Sequence, residues 1–241
     1  MRRPKMILFD YGQTLVDEAK FDGVCGTKAV LAYATKNKYN KTAEEIQAVA
    51  DSINDELGRF DPARKHLQVT EVPNASFDAY LYESQGVELS ISGAALDKVF
   101  WDAAAPGKPT KGVAEFLDYL KAQGIRTGVI SNIGYCNEAV EERIGSVLPG
   151  HEFEFIIATS KYMFRKPNAR IFELALEKAD LKPEDVWYVG DQFECDIVGA
   201  KNAGLMPVWY VGASKYSGED KGVLTVASWD ELRKILEEGE E

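Results

Sequence analysis

Ile7-Leu8-Phe9-Asp10-Tyr11-Gly12-Gln13-Thr14-Leu15 is an apolar run closed by a single aspartate, with a glycine two residues further on. A short, fully apolar segment of this kind reads as a strand of a parallel sheet, buried on both faces. Its terminal carboxylate then stands at the carboxyl edge, where open α/β sheets hold their ligands. Asp10 is accordingly either a reactive group in a cleft or the cap of a tight turn, a role aspartate also fills. The decision rests on what stands at the ends of the other strands.

Downstream, helices and short apolar runs alternate. A helix is expected from Thr110, with Val113, Phe116, Leu117 and Leu120 on one face and Gly124 as its stop. Strands are expected at Arg126 to Ile130, Phe155 to Ala158, Val186 to Val189 and Pro207 to Val211. Helices at Asn137 to Val147, Pro167 to Ala179 and Asp196 to Ala203 separate them, and Ser228-Trp229-Asp230-Glu231 opens a last one with a capping-box pattern. This alternation implies a parallel sheet covered by helices on both faces.

Between Asp17 and Ala105 the pattern is helical, without a convincing strand. Thr42 and Glu45 form a capping box ahead of Ile46, Val49, Ile53 and Leu57 at helical spacing, and further helices are expected at Gly26 to Lys36, Ser76 to Gln85 and Ala94 to Asp102. The expected organisation is an α/β core of residues 1–16 and 106–241, interrupted by an all-helical insertion at 17–105. Glu237 to Glu241 is expected to be a solvated, frayed end.

Composition narrows the function classes. The formal charge is −11, from 39 acidic against 28 basic residues, and no stripe of Lys or Arg is present, so nucleic acid and anionic membranes are not expected partners. Cys25, Cys136 and Cys195 are widely spaced and form no CxxC pair, which suits a reducing compartment. No apolar stretch approaches the roughly 20 residues of a transmembrane helix, and the run behind the basic first residues stops at Asp10, too short for a signal-peptide core. The expected location is the cytoplasm.

Three further features share the strand-end position of Asp10. Ser131-Asn132 follows one strand and offers a hydroxyl and backbone N–H groups, although Ser-Asn is also ordinary turn chemistry. Lys166 precedes Pro167, which suits the first turn of a helix; a lysine there could hold a phosphate or simply be solvated. Gly190-Asp191 follows the strand ending at Val189, and Asp196 falls near the next helix start as a cap or a support for a metal. Converging carboxylates need charge compensation, and a hard divalent cation bound through oxygens would supply it for Asp10 and Asp191 together.

In this order, Phe9-Asp10-Tyr11-Gly12-Gln13-Thr14-Leu15, Ile130-Ser131-Asn132, Arg165-Lys166-Pro167 and Gly190-Asp191 through Asp196-Ile197-Val198-Gly199-Ala200 resemble the four motifs of the haloacid dehalogenase-like hydrolases. The resemblance spans the α/β core and implies a Rossmann-like, doubly wound parallel sheet with the helical insertion as a cap. It further implies a Mg²⁺-dependent phosphatase in which Asp10 attacks phosphorus and forms an aspartyl-phosphate. By the same resemblance Lys166 offsets charge, Ser131 and Asn132 bind the phosphate oxygens, and the metal is held by Asp10, the Gly12 carbonyl, Asp191 and Asp196. The implied partner is a small phosphorylated metabolite.

The departure is Gly12, where most phosphatases of the family carry a second aspartate that moves the proton. General acid–base help is worth ~10²- to 10⁴-fold, so poor leaving groups should suffer most from its loss. Glu18, Asp17 or a residue of the insertion could replace it, although solvated charges are the simpler reading of each. Two alternatives follow: a catalytically weak phosphate-binding or regulatory protein, favoured by Gly12, and a 2-haloacid dehalogenase, disfavoured by Asp191, Asp196 and the absence of a tyrosine at position 12. The insertion also carries Arg59, Arg64, Lys65 and His66 in a short stretch, read as a solvated basic turn, and Tyr80 and Tyr82, which are too close to share a helix face.

Overall fold

The computed structural model describes residues 2–59, 69–213 and 222–239. Its first half comprises β1 (Met6–Phe9), β2 (Val16–Glu18), α1 (Gly23–Leu31), β3 (Ala34–Asn37), α2 (Ala43–Glu56), α3 (Asn74–Ser84), β4 (Val87–Leu89), α4 (Gly93–Ala104) and β5 (Gly107–Pro109). There follow α5 (Val113–Ala122), β6 (Arg126–Ser131), α6 (Asn137–Val147), β7 (Ile156–Ala158), α7 (Thr159–Tyr162) and α8 (Ala169–Ala179). The chain closes with β8 (Val186–Gly190), α9 (Gly199–Asn202), β9 (Met206–Tyr210), β10 (Leu224–Val226) and α10 (Trp229–Glu238).

Six parallel strands form one sheet in the order β10-β9-β8-β1-β6-β7. The first strand in sequence is thus central, which its wholly apolar composition requires: all four of its residues are fully buried. Alternation sends Ile7 and Phe9 to one face, against α5, α6 and α10, and Met6 and Leu8 to the other, against α8. Trp229 anchors the first layer, stacking on Tyr210 at 4.4 Å and on Phe116 at 5.1 Å. Its indole N–H donates to Thr110 Oγ1 at 3.0 Å, so the aromatic ring enters the core with its polar edge satisfied.

Helices α1 to α4 share a separate apolar centre made by Val30, Ile46, Ala50, Leu81, Tyr82 and Leu96. The Thr42 capping box is present in full: the Thr42 hydroxyl accepts from Glu45 N–H at 3.3 Å, and Glu45 Oε2 accepts from Thr42 N–H at 2.9 Å. The chain leaves for this layer along β2 and returns along β5, which pair antiparallel with Glu18 opposite Gly107. Tyr80 is exposed and Tyr82 buried, as their spacing requires.

Several elements differ from the sequence expectation. The region from Asp17 to Ala105 does contain strands: β3 and β4 pair antiparallel, and Ala34 to Lys36 belongs to β3 rather than to a continuation of α1. Both strands are short and half exposed, so no apolar alternation marks them. Helix α5 starts at Val113, because Thr110 is held by the core: its N–H donates to Leu15 O at 3.0 Å and its hydroxyl to Thr14 O at 2.8 Å. Pro167 follows a cis peptide bond and lies outside α8, whose cap is Asn168. Glu237 and Glu238 are helical within α10; Glu240 and Glu241 lie outside the described residues, as do Arg64, Lys65 and His66.

Candidate active site

The carboxyl edge of β1, β6 and β8 collects the polar residues picked out by their strand-end positions. Asp10 directly follows β1, and its N–H donates to Val189 O at 2.8 Å, continuing the ladder one residue past the strand. Ser131 ends β6 and is buried, and Asp191 directly follows β8. Asp196 does not cap a helix. It lies inside a π-helical turn, Phe193–Val198, with its N–H donating to Gln192 O at 2.8 Å and its Oδ2 accepting from Gln192 N–H at 2.9 Å.

Lys166 is not solvated; it is 2% exposed. Its Nζ contacts Asp10 Oδ1 at 2.6 Å, Asp196 Oδ1 at 2.7 Å, the Tyr188 hydroxyl at 2.7 Å and Ile130 O at 3.0 Å. An ammonium has three protons, so four oxygens leave no donor idle. Burial works against the Lys166 charge, but Asp10 and Asp196 outweigh it and the pKa moves upward. Asn132 fixes the lysine from behind: its Nδ2 donates to Lys166 O and its Oδ1 accepts from Lys166 N–H, both at 2.8 Å. Its side chain therefore positions the loop, a role additional to the backbone N–H expected of it.

Carboxylate oxygens of Asp10, Asp191 and Asp196 lie within 4.8 Å of one another. Burial pushes Asp10 up to about 6, against the pull of Lys166. Asp191 rises to about 8, first through burial and then through the neighbouring charges of Asp10 and Asp196. Asp191 Oδ1 is buried and has no hydrogen-bond partner among the described residues. An orphaned oxygen in a carboxylate cluster short of positive charge fits a hard divalent cation.

Gly190 makes this packing possible. A Cβ placed on it would overlap the Asp196 carboxyl carbon at a separation no real Cβ tolerates. Gly190→Ala is therefore expected to displace Asp196 from Lys166 and to lower turnover by ~10- to 100-fold, the range typical when a group supporting a metal site is disturbed. Steady-state kinetics with and without added divalent cation checks this.

Asp10, Gly12, Ser131, Asn132, Lys166 and Asp196 line one recess of about 230 Å³. It shares Gln13, Glu18, Asn132 and Ile133 with a larger cavity of about 840 Å³ beneath α2, α3 and α4. Arg59 belongs to this larger cavity and is no solvated turn: its guanidinium lies 3.5 Å from Glu71 and donates to Val72 O at 3.1 Å. Glu71 in turn accepts from Arg165 at 3.0 Å and from the Thr159 hydroxyl at 2.8 Å, which ties the segment before α3 to the loop carrying Lys166. Tyr188 escaped the sequence reading because its hydroxyl sits inside an otherwise apolar strand; a lone polar tip in that run was the available signal. Glu18, read from the sequence both as a stand-in for the missing acid and, more simply, as a solvated charge, is mostly buried, its side chain 19% exposed, and lines both cavities.

The carboxylate–lysine centre stands at the carboxyl edge of a doubly wound α/β sheet, where such folds bind their ligands. The chain belongs to the haloacid dehalogenase-like hydrolases, whose family profile matches residues 4–204. A glyceraldehyde 3-phosphate phosphatase of Pyrococcus furiosus is 27% identical over 246 residues, covering 98% of this chain and 93% of that protein. The pyrimidine 5'-nucleotidase YjjG of Escherichia coli is 29% identical over 236 residues, covering 95% and 96%. Among solved structures, a HAD phosphatase of Thermococcus onnurineus superposes with a TM-score of 0.64 at 19% identity over 99% of both chains, which shows the fold.

Proposed function

We propose that the chain is a Mg²⁺-dependent phosphoric monoester hydrolase acting on a small phosphorylated metabolite. The observation that carries this is the Asp10–Lys166–Asp196 centre packed beside the orphaned Asp191 oxygen. Phosphatases and nucleotidases among the relatives support the same substrate class.

In this mechanism Asp10 supplies the attacking oxygen, and its bond to phosphorus forms as the ester bond breaks. Lys166 lies on one side of Asp10 and keeps that carboxylate ionised while offsetting the phosphate charge. Ser131 and the Asn132 N–H bind the non-bridging phosphate oxygens. Asp10, Asp191, Asp196 and the Gly12 carbonyl would hold Mg²⁺. Both oxygens of Asp196 already accept N–H bonds, so its share is a remaining lone pair or a water-mediated contact. The cation would supply electrostatic stabilisation of the transferring group. Residues 17–105 act as the cap, and the cavity of about 840 Å³ receives the leaving group.

The expected result is phosphate release from aryl and alkyl monoesters in the presence of Mg²⁺, lost on chelation and restored on adding the cation back. A phosphate-release panel run with and without chelator checks it. Phosphate binding that stabilises the protein without turnover of any ester would favour a regulatory protein instead.

A further inference from the structure

Gly12 leaves a space in the recess, and the structure shows what faces it. A Cβ built on Gly12 would meet a single heavy atom within 4 Å, its chain neighbours aside: Glu18 Oε2, at 3.7 Å. Glu18 belongs to β2 and lines both the recess of Asp10 and the larger cavity. Its carboxylate is held by one oxygen. Oε1 accepts from Trp101 Nε1 at 2.7 Å and from the Tyr11 hydroxyl at 3.3 Å, and Arg143 Nη2 lies 3.5 Å away. These contacts all fall on Oε1 and turn Oε2 toward the place where a residue-12 side chain would be. Arg143 is itself fixed, donating to the Tyr11 hydroxyl at 3.2 Å and lying 4.8 Å over the Trp101 ring.

We propose that Glu18 is the proton donor and acceptor of the phosphoryl transfer, its Oε2 serving from β2 in place of a side chain at position 12. The assignment rests on the phosphatase reading above. In the first half-reaction a bond forms between Asp10 and phosphorus while the bond from phosphorus to the ester oxygen breaks. The electron pair goes to that oxygen, which takes the proton from Glu18 Oε2. In the second, Glu18 takes a proton from water as the water oxygen bonds to phosphorus, and the Asp10–phosphorus bond breaks with its electrons returning to the carboxylate. Donor and acceptor states balance over one turnover.

Burial pushes the Glu18 pKa upward, and the Trp101 hydrogen bond, the Arg143 charge and the Tyr11 hydrogen bond oppose that rise. Asp17, the neighbouring acid, is excluded by strand alternation: its Oδ2 lies 3.4 Å from Lys108 Nζ, and its side chain is 43% exposed.

The test compares wild type, Glu18→Gln, Gly12→Asp and the double variant, with Mg²⁺, on a series running from nitrophenyl phosphate to alkyl phosphates. Glu18→Gln keeps an acceptor for Trp101 and removes the proton. Its kcat on alkyl esters is expected to fall ~10²- to 10⁴-fold, with nitrophenyl phosphate losing less than about tenfold, because nitrophenolate leaves without a proton. Gly12→Asp in the Glu18→Gln background is expected to restore alkyl turnover, a Cβ at position 12 meeting nothing closer than the residue-18 side chain at 3.7 Å. Gly12→Asp alone, which leaves Glu18 untouched, should gain less than about tenfold on alkyl esters; a gain near ~10²-fold would mean that no donor was present and would overturn the assignment. Equal losses across all leaving groups in Glu18→Gln, or no loss, would also overturn it while leaving the phosphatase reading intact. A wild type inert toward every ester removes both.

Discussion

Asp10→Asn is expected to abolish phosphate release, by on the order of 10⁴- to 10⁶-fold, while leaving the protein folded. An amide oxygen is a poor nucleophile; of the two groups in contact with one another beside it, Asp196 has both oxygens engaged, and Lys166 is charged and enclosed. Folding should tolerate the change, since Asn can still accept from Lys166 Nζ and Asp196 keeps its own contact with that ammonium. The pH dependence follows from the raised Asp10 pKa, about 6 in the fold against 3.8 for the free carboxyl. A carboxyl lifted in this way contributes its stability below about pH 4 and loses it as pH rises through 6. In metal-free protein the Asn variant should therefore gain on wild type in melting temperature between pH 4 and pH 7. Calorimetry across that range, beside phosphate-release assays, checks both halves; more than about 1% residual turnover would remove Asp10 from the attacking role.

The parts of this centre that were legible in sequence are those governed by local order. Asp10, Ser131 and Asp191 stand at or just beyond strand ends, and a run of apolar residues announces its own end. Helix α6 and the Thr42 cap were equally plain, each being set by residues within a turn of one another. What could not be read depends on partners distant in the chain. Lys166 looks like any lysine before a helix until Asp10, 156 residues away, and Asp196 supply the charges that let it be buried. Glu18 looks solvated until α4 brings Trp101 and α6 brings Arg143 to the same oxygen. The π-helical turn at Phe193 to Val198 escaped for a different reason. Its residues are compatible with an ordinary helix, and the turn is held in place by the Asp196 carboxylate reaching Gln192 and Lys166. Gly12 was visible as a missing acid; that another strand faces the gap was not.

Lys166→Met is expected to cost about 3–5 kcal/mol of folding stability near pH 8 and much less near pH 5. Methionine keeps most of the buried volume, so the loss is electrostatic: Asp10, Asp191 and Asp196 remain in a water-poor cluster without the one ammonium that Asp10 and Asp196 shared. Asp10 and Asp191 already sit at about 6 and about 8 in the presence of that cation, burial being the leading cause for each. Removing it lifts both further. Groups whose folded-state pKa lies above the unfolded value favour the fold while protonated and weaken it as pH climbs through the folded-state pKa, so the deficit opens between pH 5 and pH 8. Mg²⁺, held as proposed by the folded cluster and not by the unfolded chain, would recover part of the loss at pH 8. In the proposed mechanism turnover is expected to fall as well, by ~10²- to 10³-fold, the charge assigned to offset the phosphate being removed. Urea denaturation at the two pH values, each with and without Mg²⁺, separates the causes. A deficit equal at both pH values and unmoved by the cation would trace the effect to lost packing, and the buried ammonium would then not be what holds Asp10 and Asp196 together.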